Sequence, residues 1–183
     1  MSEPTPTGPI YLGFLTVFQE GPGYLGGCLV TNSWGRPLEF RLSTAVQPNR
    51  VQHILYGNTL QEYLYADLIG KTLIDKCATA VQILFIDSLT VLPIRSRLEI
   101  PVVAVVPQDD PSVSFLPDER IARIKNERST ASVLYDPRQA GDAERISRIL
   151  EKIDPGMDLS EPFTRIREAM NEARKMGVTS RAA

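Results

Sequence analysis

Two short runs of almost unbroken apolar residues, Val81-Gln82-Ile83-Leu84-Phe85-Ile86 and Val102-Val103-Ala104-Val105-Val106, constrain this chain more than any other feature in it. Neither alternates, so neither suits a strand with one face in water. Both fall far short of the roughly 20 apolar residues that a membrane span requires. They read as central strands covered on both faces, and such strands demand a layered fold with helices against the sheet.

The residues before them supply edges and cover. Ile10 to Gln19, Tyr24 to Thr31 and Leu38 to Leu42 read as three strands, separated by the turns Gly21-Pro22-Gly23 and Asn32-Ser33-Trp34-Gly35. Pro48-Asn49 starts a short helix through Val51, Ile54 and Leu55 that Gly57 ends, and Asn58 or Thr59 caps a longer one to about Ala78. At 100° per residue the longer helix gathers Tyr63, Ala66, Ile69, Leu73, Ile74 and Cys77 on one face. Leu64 and Leu68 fall off that face and need a second partner, within the fold or on another chain. Leu89 to Ile94 is a candidate further strand. The expected fold class is therefore α/β (mixed α+β): an antiparallel three-strand meander, a helical pair, then two or three further strands in one sheet, plus a C-terminal helical tail.

Charge and aromatic content divide the chain. Residues 1–107 hold 15 charged and 10 aromatic side chains, and residues 108–183 hold 27 and 3. The break falls at Pro107-Gln108-Asp109-Asp110-Pro111, a linker composition. The expected organisation is a disordered, proline-rich N-terminus over 1–9, a core domain over 10–107, and a linker with a helical tail over 108–183. Three tail helices are expected: one starting at Leu116-Pro117-Asp118-Glu119, with Ile121 and Ile124 as its stripe; one after Gly141-Asp142, with Ile146, Ile149, Leu150 and Ile153; and one capped by Ser160, with Phe163, Ile166, Met170 and Ala173.

Several catalytic patterns fail their context. Gly21-Pro22-Gly23-Tyr24-Leu25-Gly26 matches G-x-G-x-x-G but leads into a strand sequence, not a helix. Gly70-Lys71-Thr72 lacks the glycine five residues upstream that a phosphate loop needs and sits mid-helix, where Lys71 is expected to pair with Asp67. One histidine, His53, and two cysteines 49 positions apart, Cys28 and Cys77, are too few for a zinc site or a disulfide framework. No metal and no cofactor are expected.

Carboxylates remain. Asp87 ends a central apolar strand, where side chains reach the cleft above a sheet. Glu39 lies on the third strand and Asp67 on the long helix. Three strands, a helix and a strand carrying such acids resemble, over about residues 10–87, the element order of ribonuclease H-like folds. That resemblance implies a Mg²⁺-dependent nuclease with two or three converging carboxylates, of which Asp87, Glu39 and Asp67 are the candidates. It also implies an acid within the first strand, and Tyr11 to Gln19 holds none.

The formal charge of −2, from 20 basic and 22 acidic side chains, gives no electrostatic reason to expect a nucleic-acid partner or an anionic membrane. The polar N-terminus has no signal-peptide pattern, and the expected location is cytoplasmic. The leading functional expectation is a non-catalytic protein-binding or assembly subunit. It would dock on a protein partner or a second copy through Phe163, Ile166, Met170, Ile146, Ile149 and Ile153 of the tail, with Leu64 and Leu68 as a further contact. The alternative is a carboxylate- and Mg²⁺-dependent hydrolase of ribonuclease H-like type. A second alternative is a small-ligand sensor built on the aromatic meander.

Overall fold

The computed structural model describes residues 8–115, 118–125 and 131–177. Among them seven strands form one mixed sheet: β1 (Tyr11–Glu20), β2 (Gly23–Asn32), β3 (Pro37–Leu42), β4 (Ile83–Ile86), β5 (Val102–Pro107), β6 (Ala122–Ile124) and β7 (Ala131–Tyr135). The order is β3-β2-β1-β4-β5-β7-β6. The first three strands pair antiparallel, β4 and β5 run parallel to β1, and β7 and β6 close the far side antiparallel. The fold is α/β, and the two apolar runs are its central strands β4 and β5. The meander is antiparallel throughout, and β4 returns parallel beside β1.

Each sheet face has its own cover. Helix α1 (Arg50–Tyr56) is capped by Asn49, whose side chain accepts from Gln52 N while Gln52 returns a bond to Asn49 N. It buries none of its residues, and Val51, Ile54 and Leu55 are exposed. Helix α2 (residues 60–75) covers one face together with the 3₁₀ segment Leu89–Arg97, packing Leu64, Ile69, Leu73, Val91 and Ile94 on Leu15, Val17, Leu84 and Ile86. Helices α3 (Asp142–Leu150) and α4 (Glu161–Lys175) cover the other face, packing Ile146, Phe163, Ile166 and Met170 on Leu12, Phe14, Phe85 and Val103. Phe14 stacks on Phe85 at 5.0 Å and meets the edge of Phe163 at 5.6 Å.

Adjacent glycines in β2 let α2 and α4 approach from opposite sides. A Cβ on Gly26 would lie 2.4 Å from Ile69 Cγ2, and one on Gly27 would lie 2.6 Å from Ile166 Cγ2. The glycine-rich start of β2 is thus a close-packing device after a turn whose Gly21 has a φ of 57°.

Four expectations change here. Leu64 and Leu68 need no outside partner, because α2 is π-helical over Tyr63–Lys71, between short α-helical turns. A π-helix bonds i to i+5 and turns less per residue than an α-helix. This brings Leu60, Leu64, Ile69 and Leu73 onto the sheet side; Leu64 is fully buried and Leu68 partly so, both in the same core. Within that helix Lys71 pairs with Asp75, 2.5 Å away, not with Asp67. Leu89 to Ile94 is a 3₁₀ helix instead of a strand: Pro93 has no N–H to give a sheet ladder, and Ser88 caps the turn by accepting from Thr90 N. In the segment expected to be helical only, Ala122–Ile124 and Ala131–Tyr135 are strands that extend the sheet beyond β5.

The helix start at Leu116-Pro117, most of the N-terminal segment and the last two alanines lie outside the described residues. No helix among the described residues is long and apolar enough to cross a membrane.

Candidate functional site

In an open sheet with parallel strands, side chains just past the carboxyl ends of those strands look into a crevice where ligands bind. Here that place lies beyond β4 and beside β1. The register sets Leu15 opposite Ile86, so the next residues, Thr16 and Asp87, stand side by side. Thr16 Oγ1 donates to Asp87 Oδ2 at 2.7 Å. Arg167 on α4 donates from Nη2 to the same oxygen at 2.5 Å. The other oxygen, Oδ1, is buried and has no hydrogen-bond partner among the described residues.

The aromatic surroundings follow from the pleat. Phe18 lies two residues beyond Thr16 on the same face, and the Arg167 guanidinium sits over its ring at 5.1 Å. Arg167 is 47% exposed while Asp87 is 12% exposed, so the acid is an inner group and the arginine the outer one. From α2, Tyr65 packs its ring edge against Tyr24 at 5.9 Å. Burial pushes the Tyr65 hydroxyl above its ordinary pKa, a hydrogen bond with Gln61 pulls it down, and the opposite charges of Asp87 and Arg167 act on it in opposite senses. The site thus presents one guanidinium, one carboxylate with a spare oxygen, a threonine hydroxyl and aromatic rings.

The three candidate acids do not converge. Asp67 forms a two-point pair with Arg97, at 2.5 and 3.1 Å, on the outer side of α2. Glu39 ties edge strand β3 to the chain leaving α2: its carboxylate accepts from Ala78 N and Thr79 N at 3.0 Å and from Arg41 Nε at 2.7 Å. The Ala78 bond leads, with Arg41 and Thr79 adding to it against burial, in lowering its pKa from 4.5 to about 2. A carboxyl whose folded pKa is depressed stabilises the fold fully above the unfolded value and loses that effect as pH falls. Glu39→Gln is therefore expected to cost about 1–2 kcal/mol at pH 7, and its melting temperature should converge on that of the native chain as pH drops from 4.5 towards about 2. Thermal melts across that range check this; equal melts at pH 7 would refute the tie.

A Mg²⁺ site of the kind the fold resemblance implies does not fit these residues. The first-strand residue beside Asp87 is the neutral Thr16, the guanidinium of Arg167 stands against Asp87 where a cation would bind, and no group of three His, Cys, Asp or Glu among the described residues could hold a metal ion.

The apolar stripes proposed for docking are elsewhere and already occupied. Phe163, Ile166, Met170, Ile146 and Ile153 are buried against the chain's own sheet, and Ile149 packs partly against the same core. Of the meander aromatics, Phe14 is in the core and Tyr24 pairs with Tyr65 of α2, and none of them lines the cleft beside Cys77 or the one between Tyr56 and Tyr63. Thr16 and Arg167 escaped the sequence reading. Thr16 is a hydroxyl inside an apolar strand, and Arg167 lies 80 positions from Asp87. The one available signal for Thr16 was a polar residue inside the apolar run of β1, the strand in which the resemblance asks for an acid.

No protein-family model and no curated protein matches this chain. Among solved structures it is similar to Endonuclease V of Ciona intestinalis in complex with a 23mer DNA containing an inosine followed by a ribo-adenosine (TM-score 0.47, 9% identity, covering 92% of this chain and 88% of that one). It is also similar to Endonuclease V of Bacillus subtilis (TM-score 0.47, 10% identity, 91% and 83%). A third is Marinitoga piezophila Argonaute in complex with 5′ OH guide RNA (TM-score 0.35, 13% identity, 78% of this chain and 25% of that one). At such identities no residue role passes from one chain to the other. These neighbours are endonucleases and nucleic-acid complexes, unlike the expected non-catalytic protein-docking subunit with no indicated nucleic-acid partner; at TM-scores below 0.5 they assign no role to this chain. The burial of Phe163 and Ile166 corrects the docking expectation on separate grounds.

Proposed function

We propose that this chain is a nucleic-acid-handling protein that receives a strand beyond the carboxyl end of β4, beside β1. The observation that carries the reading is Arg167, half-exposed and held over the Phe18 ring while bonded to the more sheltered Asp87. Single strands are held by guanidinium contacts to phosphate and by aromatic faces on which bases stack. Asp87 and Phe18 together fix the arginine fork before a phosphate arrives, so little side-chain freedom is lost on binding. The net charge of −2 does not oppose this reading, since one pre-positioned arginine acts locally within a Debye length of about 8–10 Å.

A second reading, hydrolysis of the bound strand, rests on the unpartnered Oδ1 of Asp87. A buried acceptor without a partner is costly, and a water or a substrate hydroxyl at that oxygen would satisfy it. In that case Asp87 orients the attacking group and Arg167 faces the phosphate. The reading keeps the carboxylate role of a ribonuclease H-like hydrolase and routes no step through a metal. Two free thiols, Cys28 and Cys77, support a reducing compartment and hence a cytoplasmic location.

Labelled single-stranded DNA, single-stranded RNA and duplexes, titrated by fluorescence anisotropy at several salt concentrations, test the proposal. The native chain is expected to bind single strands with a falling log K against log salt, and Arg167→Gln to reduce that slope by about one. Binding unaltered in Arg167→Gln, or none at low salt, would refute the site. The same substrates, incubated with and without Mg²⁺ or Mn²⁺, test hydrolysis. Cleavage that disappears in Asp87→Asn establishes the second reading, and cleavage that survives in it removes Asp87 from the chemistry.

A further inference from the structure

We propose that Cys28 and Cys77 form a reversible intramolecular disulfide that clamps the end of α2 to β2, made by exchange with a small-molecule disulfide of the glutathione class. The two residues are 49 positions apart in sequence, yet their sulfurs lie 3.9 Å apart. Bond formation needs a separation near 2.05 Å, so the sulfurs must close by about 2 Å. Cys77 has the freedom to do this. It follows the last helical turn of α2, and among the described residues its Sγ is otherwise engaged only with Leu73 O, at 3.3 Å.

The two thiols differ in a way that orders the chemistry. Cys28 is fully buried in β2 and out of reach of any reagent. Cys77 is half-buried and borders a cleft of ≈ 200 Å³ with Ile74, Thr79, Leu98 and Ile100, through which a small disulfide can reach it. The Cys28 contact lowers the Cys77 pKa, burial and the Glu39 charge oppose this, and the Arg41 charge favours the thiolate. The same contact and burial push Cys28 up. Cys77 is therefore the attacking sulfur. Its thiolate attacks the small disulfide RS–SR, the S–S bond breaks, and RS⁻ leaves with the electron pair. Cys28 then gives its proton to solvent and attacks the Cys77 sulfur, releasing a second RS⁻. The protein loses two thiol protons and two electrons, and one small disulfide becomes two thiols.

The clamp would join β2 to the helix that carries Tyr65 towards the Asp87 site. The Glu39–Ala78 bonds already hold the chain just past Cys77 beside β3, so the closing movement falls on Cys77 and not on the sheet.

The test uses the full native chain in buffers of reduced and oxidised glutathione, with rapid alkylation and mass mapping. The oxidised chain is expected to lose two hydrogens, about 2 Da. It should yield one linked peptide pair containing Cys28 and Cys77, remain monomeric, and melt about 5–10 °C higher. Dithiothreitol should reverse all of this. Cys28→Ala should stop at the Cys77–glutathione mixed disulfide, and Cys77→Ala should take up no glutathione. A native chain that accumulates only the mixed disulfide, links to a second chain through Cys77, or stays alkylatable at both thiols under fully oxidising glutathione overturns the proposal.

Discussion

Replacing Phe163 and Ile166 together by Asp is expected to unfold the chain, with no separate effect on association. Both side chains lie on the sheet-facing side of α4, 5% and 1% exposed. Phe163 sets its edge against Phe14, and Ile166 fills the space above Gly27 that a larger residue in β2 would take. Burying each contributes roughly 1.5–3 kcal/mol. Two carboxylates in the same place add a desolvation cost of several kcal/mol more. Together these reach the lower half of the roughly 5–15 kcal/mol that holds an ordinary domain folded. Glu168→Ala, on the exposed side of the same helix, should leave the melt unchanged. Circular-dichroism melts and light scattering on both variants separate the outcomes. A double variant that keeps its melting temperature but loses a complex would return the helix to a docking role.

The central layers of this fold were legible because the responsible residues are local. Val102 to Val106 is apolar on both faces, and a strand covered on both faces is the only short element it suits; β5 is that strand, with α2 and the 3₁₀ segment on one side and α3 and α4 on the other. The meander was legible from its turns. Leu64 and Leu68 misled because their placement assumed 100° per residue, and the π-helical stretch of α2 turns less than that. The strands Ala122–Ile124 and Ala131–Tyr135 escaped because 3 and 5 residues hold too little of a period to register beside the surrounding charges.

Of the candidate site, Asp87 was legible from its place after an apolar strand. Its neighbours were not: Thr16 and Arg167 become functional candidates only because β4 pairs with β1 and α4 lies across them. Glu39 shows the converse. Its position on an alternating strand suggested a free acid, and the structure commits all of its strong contacts to Ala78, Thr79 and Arg41.

Truncation after residue 107 should leave a fragment that does not fold cooperatively. The composition break at that point suggested that the first part stands alone, since most aromatics and both apolar runs lie within it. The cover of one sheet face comes from beyond the break. Without α3 and α4, Leu12, Phe14, Leu29, Phe85 and Val103 face water. The lost partners include Ile146, Ile153, Phe163, Ile166 and Met170, each contributing roughly 1.5–3 kcal/mol, and their sum is comparable with the whole stability of a domain. The fragment also loses β7, so β5 becomes an open apolar edge from Ala104 to Pro107, a template for pairing with other chains. It also loses the pair between Arg95 and the buried Asp142, which accepts from Arg95 Nε at 2.6 Å and Nη2 at 3.0 Å and ties α3 to the 3₁₀ segment. The expected products are aggregates and a fragment without a sigmoidal melt, seen by light scattering and circular dichroism. A monodisperse 1–107 fragment with a single sharp transition would show instead that the sheet holds with one face bare, and that α3 and α4 are an accessory cover able to leave it.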